Sequence, residues 1–135
     1  MHRITLSTHR REEMIDITNQ VAALVAEAKI SQGIVVVQSP HTTLGVTVNE
    51  HADPDVTQDM MRHLTHLVPP SESFRHAEGN SDSHIKTSLV GPSVSLIIDQ
   101  GRLQLGTWQG IFACEFDGPR RRTLWVQIVP ALLAP

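Results

Sequence analysis

Apolar and polar residues alternate at the start of the chain. Ile4 and Leu6 stand against Arg3, Thr5 and Ser7, the period-two pattern of a strand with one buried face. Met14, Ile15 and Ile17 predict a second short strand ending at Thr18. The period then changes. Val21, Leu24, Val25 and Ala28 recur at helical spacing, Thr18 or Asn19 can cap the first turn, and Gly33 is a stop signal. Residues 33–38, Gly-Ile-Val-Val-Val-Gln, are β-branched and continuous, as in a buried strand. Alternation returns from Thr43 to Asn49, with Leu44, Val46 and Val48 on one face. Asp53-Pro54 opens a second helix, because a carboxylate accepts from the free N–H groups and proline suits the first helical position. Val56, Met60, Leu64 and Leu67 line its buried side, and Pro69-Pro70 end it.

Residues 69–83 are rich in Pro, Ser, Gly, Asn and Asp and read as a loop, followed by a short helical turn from His84 to Val90. Three β-type runs close the chain: Ser93–Asp99, Thr107–Phe116 and Arg122–Pro130. Their turns are Gln100-Gly101 and Asp117-Gly118-Pro119. Two main helices among many strands, with no internal repeat, predict one α+β domain over residues 1–135 with a mostly antiparallel, sandwich-like core.

Composition narrows the function. A net charge of −3 over 135 residues gives no basic footprint for nucleic acid. The segment MHRITLSTHRREE lacks the apolar stretch of a signal peptide, and no apolar run is long enough for a membrane helix. Cys114 is the single cysteine, so an internal disulfide is impossible and a reducing, cytoplasmic setting is expected. Against that plain background the chain carries eight histidines.

Three of them lie in polar, turn-rich stretches rather than apolar runs: His41 in SPHTTLG, and His76 and His84 in FRHAEGNSDSHIK. Imidazole is a common metal ligand and a general base near neutrality, yet His41 reads equally as an exposed turn residue. The spacing of His76 and His84 matches neither a helical zinc pair nor a finger, so either they meet through a folded-back loop or they are solvated. Asn49 and Glu50 end a strand at a junction where polar groups often enter a cleft. Asp59, His63 and His66 read as a solvated helix flank. Cys114 and Glu115 must face opposite sides of their strand. The thiol suits an apolar face, while the carboxylate needs solvent, a partner or a metal. Arg120, Arg121 and Arg122 either bind phosphate or protect a sheet edge.

Several of these motifs occur together in order. Ser93-Val-Ser-Leu-Ile-Ile-Asp-Gln-Gly101 is followed by Gly106-Thr-Trp-Gln-Gly-Ile111. Upstream lie His41-Thr42-Thr43, Asn49-Glu50, Asp53-Pro54, Asp59, His76-Ala-Glu-Gly-Asn80 and Ser83-His84-Ile85-Lys86, and downstream Gly118-Pro119-Arg120. This series resembles the YjbQ-like family, also called secondary thiamine-phosphate synthase enzymes, across nearly the whole chain. The resemblance implies a compact α+β fold, a homotrimer, and a polar site of His41, His76 and His84, with Glu115 and Asn49 nearby, for a metal or a sulfate-like anion.

The implied reaction joins a thiazole phosphate to a pyrimidine pyrophosphate, giving thiamine phosphate and pyrophosphate. The leaving group needs cations. On that reading His41, His76 and His84 hold a divalent metal such as zinc, and His41, His84 and Glu115 take the catalytic roles. Lys86 and Arg120 hold phosphate, and Trp108 offers an apolar wall. Two alternatives stand beside it: a non-catalytic trimer that binds a metal or anionic metabolite, and a metal-dependent phosphoester hydrolase.

Overall fold

In the computed structural model, which describes residues 1–132, the alternating segments form two antiparallel sheets facing each other across a single core. Strands β1 (His2–Ser7), β8 (Arg121–Pro130), β3 (Gly33–Gln38), β5 (Ser93–Asp99) and β6 (Arg102–Leu103) make the larger sheet, in that spatial order. Strands β2 (Glu13–Asp16), β7 (Gln109–Glu115) and β4 (Leu44–Glu50) make the smaller one. The architecture is α+β, as the pattern predicts. β6 is an added two-residue strand that continues the hairpin after Gln100-Gly101, where both residues take positive φ.

The inward faces follow the period-two arithmetic. Ile4, Leu6, Val35, Val37, Ile98, Leu124 and Val126 of the larger sheet meet Leu44, Val46, Ile111 and Ala113 of the smaller, all buried. Helix α1 (Thr18–Ala28) enters the same core through Val21 and Val25. The expected second strand stops at Asp16. The Asp16 carboxylate accepts from the Thr18 amide (2.9 Å) and hydroxyl (2.5 Å), starting the helix, while Ile17 is buried.

The opposite face of the smaller sheet carries a second cluster of Phe112, Cys114 and Phe116, covered by Met14, Met61, Leu64 and Val90. Helix α2 (Pro54–Leu67) supplies two of these, and its start is capped by Asp53, which accepts from the Asp55 amide at 2.9 Å. The alternation of β7 thus separates Cys114, within this cluster, from Glu115, on the inner side. Burial pushes the Cys114 thiol up to about 12.

One element departs from expectation. The stretch read as loop followed by a short turn is a ten-residue helix, α3 (Ser81–Val90). Its inner side is polar: Asp82, Ser83, Lys86 and Thr87 are all buried, so it shows no apolar stripe. Burial of ionised groups requires partners. Lys86 bonds Glu12 and lies 3.2 Å from Asp82, and Arg11 binds Asp82 through two nitrogens at 3.1 Å. Glu12 also accepts from the Thr65 hydroxyl of α2. This network ties the segment before β2 to both helices.

Candidate functional site

Three crossings meet at one end of the sandwich. Residues 39–43 pass from β3 to β4, residues 116–120 from β7 to β8, and the loop ending at Asn80 leads into α3. Between them lies a cavity of about 400 Å³, lined on its three sides by His41 and Thr43, by His76, Asn80 and His84, and by Arg120 and Arg122 among others. The three sequence-separated histidines therefore share a pocket. The rings of His76 and His84 stand edge to face with centroids 5.4 Å apart.

Beneath the cavity, Glu115 of one sheet is paired with Arg122 of the other. Glu115 Oε1 accepts from Arg122 Nε (2.8 Å) and the Thr8 hydroxyl (2.8 Å). Oε2 accepts from Arg122 Nη2 (2.5 Å) and the Asp117 amide (3.2 Å). Both residues are almost wholly buried. Four donors occupy the carboxylate, so Glu115 is neither a free base nor an open metal ligand. Its role here is to aim Arg122, which also donates to the Thr43 hydroxyl at 2.7 Å. Gly118 permits this packing: a Cβ there would meet the Arg10 carbonyl at 2.2 Å and Glu115 Cγ at 2.9 Å.

His41 is fixed by two contacts. Its amide donates to the Ser39 hydroxyl (3.1 Å), and its Nε2 accepts from the Thr123 amide (3.1 Å). A neutral imidazole that accepts at one nitrogen carries its proton on the other, so Nδ1–H is a donor. Burial, and after it the Arg122 charge, hold the His41 pKa below the usual histidine value. Protonation at Nε2 would also forfeit the Thr123 hydrogen bond. His41 is thus a neutral hydrogen-bond donor whose second nitrogen is engaged. That arrangement does not fit the metal ligand or general base expected of it.

Arg120 lies at the rim. Its guanidinium donates to the Asp117 carboxylate (2.9 Å) and carbonyl (2.7 Å). Asp117 also accepts from Asn80 Nδ2 at 2.8 Å. Among the described residues, no three His, Cys, Asp or Glu side chains are grouped to hold a metal ion.

Three other expected site residues lie elsewhere. Lys86 is fully buried between Glu12 and Asp82 and is not free to hold phosphate. Asn49 and Trp108 sit at the far end of the smaller sheet. Leu44 pairs with Glu115 at the cavity end, and Asn49 pairs with Gly110 five positions on, a separation of roughly 15–20 Å at strand rise. Trp108 is 62% exposed there.

Comparison with known proteins agrees with this architecture. Residues 2–131 match the family described as UPF0047 protein YjbQ-like. The chain belongs to the YjbQ family. A UPF0047 protein of Methanocaldococcus jannaschii is 50% identical over 129 residues, spanning 96% of this chain and 94% of that protein. YugU of Bacillus subtilis is 49% identical over 127 residues, spanning 93% and 96%. An uncharacterised YjbQ/UPF0047 protein of Clostridium acetobutylicum has a crystal structure that superposes with a TM-score of 0.94 at 49% identity, covering 96% of this chain and all of that one. A Sulfolobus solfataricus structure described as a protein of unknown function gives 0.92 at 32% identity, covering 96% of each chain.

Within this YjbQ-family chain, the sequence reading gave Asn80 and Asp117 no site role and left Arg122 open between phosphate binding and edge protection; all three line the cavity. Arg122 was legible in principle, since it shares the inward parity of Leu124 and Val126 in β8, and an inward arginine needs a carboxylate from the facing sheet. The far end holds its own ordered group. His51 Nδ1 lies 2.9 Å from Asp16, and the His51 ring rests where a Gly110 Cβ would sit, 2.5 Å from Nδ1.

Proposed function

We propose that the cavity binds the phosphate of a small phosphorylated molecule, in an enzyme of the secondary thiamine-phosphate synthase type. The observation that carries this reading is the Thr123–His41 hydrogen bond, which makes His41 a fixed, uncharged donor in a cavity that Arg120 and Arg122 also line. A preset donor that stays neutral stabilises charge developing on an oxygen without prior protonation. In the proposed reaction a thiazole nitrogen bonds to the pyrimidine methylene, the bond from that carbon to pyrophosphate breaks, and the leaving oxygens gain charge. His41 and Arg120 meet those oxygens, and His84 is the nearby acid–base group. A volume of about 400 Å³ suits a ligand of this size.

The test is binding and turnover with thiazole phosphate and pyrimidine pyrophosphate. His41→Ala and His84→Ala are expected to lower phosphate-ligand affinity about tenfold or more, near 1.4 kcal/mol, with the fold retained by circular dichroism. Wild-type protein that binds neither compound would reject the reading. Binding without turnover would favour the non-catalytic binding protein, and hydrolysis of a simple phosphoester would favour the hydrolase.

A divalent metal, zinc foremost, is a second reading, favoured by the close His76–His84 pair. The two imidazoles would supply nitrogen ligands, and a bound cation would neutralise phosphate charge. Metal content of protein purified without a histidine tag, compared with His76→Ala, decides it. A homotrimer in the cytoplasm completes the proposal, and sedimentation equilibrium measures the assembly directly.

A further inference from the structure

Among the described residues, two buried side-chain polar atoms have no hydrogen-bond partner within the protein: Asn80 Oδ1 and Thr87 Oγ1. Both lie on or just before α3, four positions before His84 and three after it. Asn80 lines the cavity shared by His41, His84 and Arg120, and Thr87 lines the adjoining hollow that His41 and His84 also border.

Asn80 is the more telling of the two because its amide orientation is determined. Nδ2 donates to Asp117 at 2.8 Å, and turning the amide over would set an oxygen against that carboxylate. Oδ1 is therefore committed as an acceptor. The residue is 7% exposed. The Asn80 side chain makes no bond to the helix it precedes, although asparagine commonly caps in that position. A buried acceptor left in this condition costs stability, and ligand sites are a common reason for tolerating that. Arg120, Arg122 and His41 Nδ1–H offer donors, while Asn80 Oδ1 and the Asp117 carboxylate beside it can only accept.

We propose that Asn80 Oδ1 reads a hydrogen-bond donor on the bound oxyanion, so that the cavity selects a protonated phosphate over an equally sized anion without a proton. This deepens the phosphate-binding reading and rests on it. The ligand class is hydrogen phosphate, or a phosphate monoester that keeps one P–OH. Sulfate has the same tetrahedral shape but no proton at neutral pH. It would leave the Asn80 acceptor unpaired and place an unprotonated oxygen near Asp117.

The probes are inorganic phosphate and sodium sulfate, each titrated calorimetrically into the full chain at pH 6.5 with and without a chelator. Wild-type protein is expected to bind phosphate about ten- to hundredfold more tightly than sulfate, unchanged by chelation. Asn80→Ala is expected to reduce that ratio to about one while sulfate affinity stays within about twofold. A merely structural role would weaken both anions together and keep the ratio. Wild-type binding of both anions with equal affinity overturns the proposal but leaves the phosphate-site reading standing. Failure of phosphate, sulfate and thiazole phosphate alike overturns both. Phosphate binding that disappears on chelation also overturns it, because the acceptor then serves a cation. The wild-type comparison decides the matter even if Asn80→Ala does not fold.

Discussion

Helices α2 and α3 both pack against the smaller sheet, α2 beside β2 and α3 beside β4, yet they are built from opposite materials. The α2 sequence is clearly amphipathic, but none of its residues is fully buried. It is held as a lid by Met61 and Leu64 on the Phe112–Phe116 cluster. The α3 sequence shows little amphipathic character, and it buries Asp82, Ser83, Lys86 and Thr87. An apolar stripe is sufficient to dock a helix. Buried paired charges add little net stability over an apolar replacement, because desolvation offsets their attraction. Their value in α3 is geometric: they fix the helix whose start sets Asn80, just before it, and His84, in its first turn, along the cavity.

The sharpest way to break this contrast is Lys86→Ala. It leaves Asp82 and Glu12 short of a partner in a buried setting and is expected to destabilise the fold by about 3–5 kcal/mol, measured by urea unfolding. A loss below about 1 kcal/mol would mean that the network is not what holds α3. Asp53→Ala removes the α2 cap and is expected to cost about 1 kcal/mol while leaving phosphate affinity intact. If it changed ligand affinity, α2 would have to be counted with the site.

Smaller still is the acid dependence, which separates the two regions by pH. The folded pKa of His41 lies below 6.5, so the unfolded chain takes up a proton first and stability is lost as pH falls from about 6.5 toward the folded value. Burial opposes ionisation of Asp82, but hydrogen bonds from Arg11 and Lys86 outweigh it and its folded pKa lies below 3.8. Its contribution is present above 3.8 and is lost as pH falls below that. His41→Asn is expected to flatten the first decline and to leave the second in place, read from melting temperature against pH. A first decline that survives in the variant would assign it to another group.

The same contrast explains what was legible in the chain. Period-two runs such as Ile4–Leu6 and Leu44–Val48 exposed the sandwich because burial there is apolar. Asp53-Pro54 and its stripe exposed α2 for the same reason. The polar run Ser81–Val90 concealed the first turn of α3 and its buried side, since the buried charges Asp82 and Lys86 find their partners in Arg11 and Glu12, about seventy positions upstream. The histidines were visible as residues out of place in turns. Their tautomers were not, because the partner of His41 is a backbone amide of β8, 82 positions away. Glu115 and Lys86 were read as open chemistry because an isolated carboxylate or ammonium in sequence carries no sign of the ion already facing it.

Cys114 offers a practical gain from its setting between Phe112 and Phe116. With the thiol pushed up to about 12 and enclosed by α2 and α3, a maleimide or Ellman reagent has no thiolate to attack while the two helices stay down. The rate at which that sulfur becomes labelled therefore acts as a clock for the lifting of the helical layer, and it can be read in every variant above without attaching a probe.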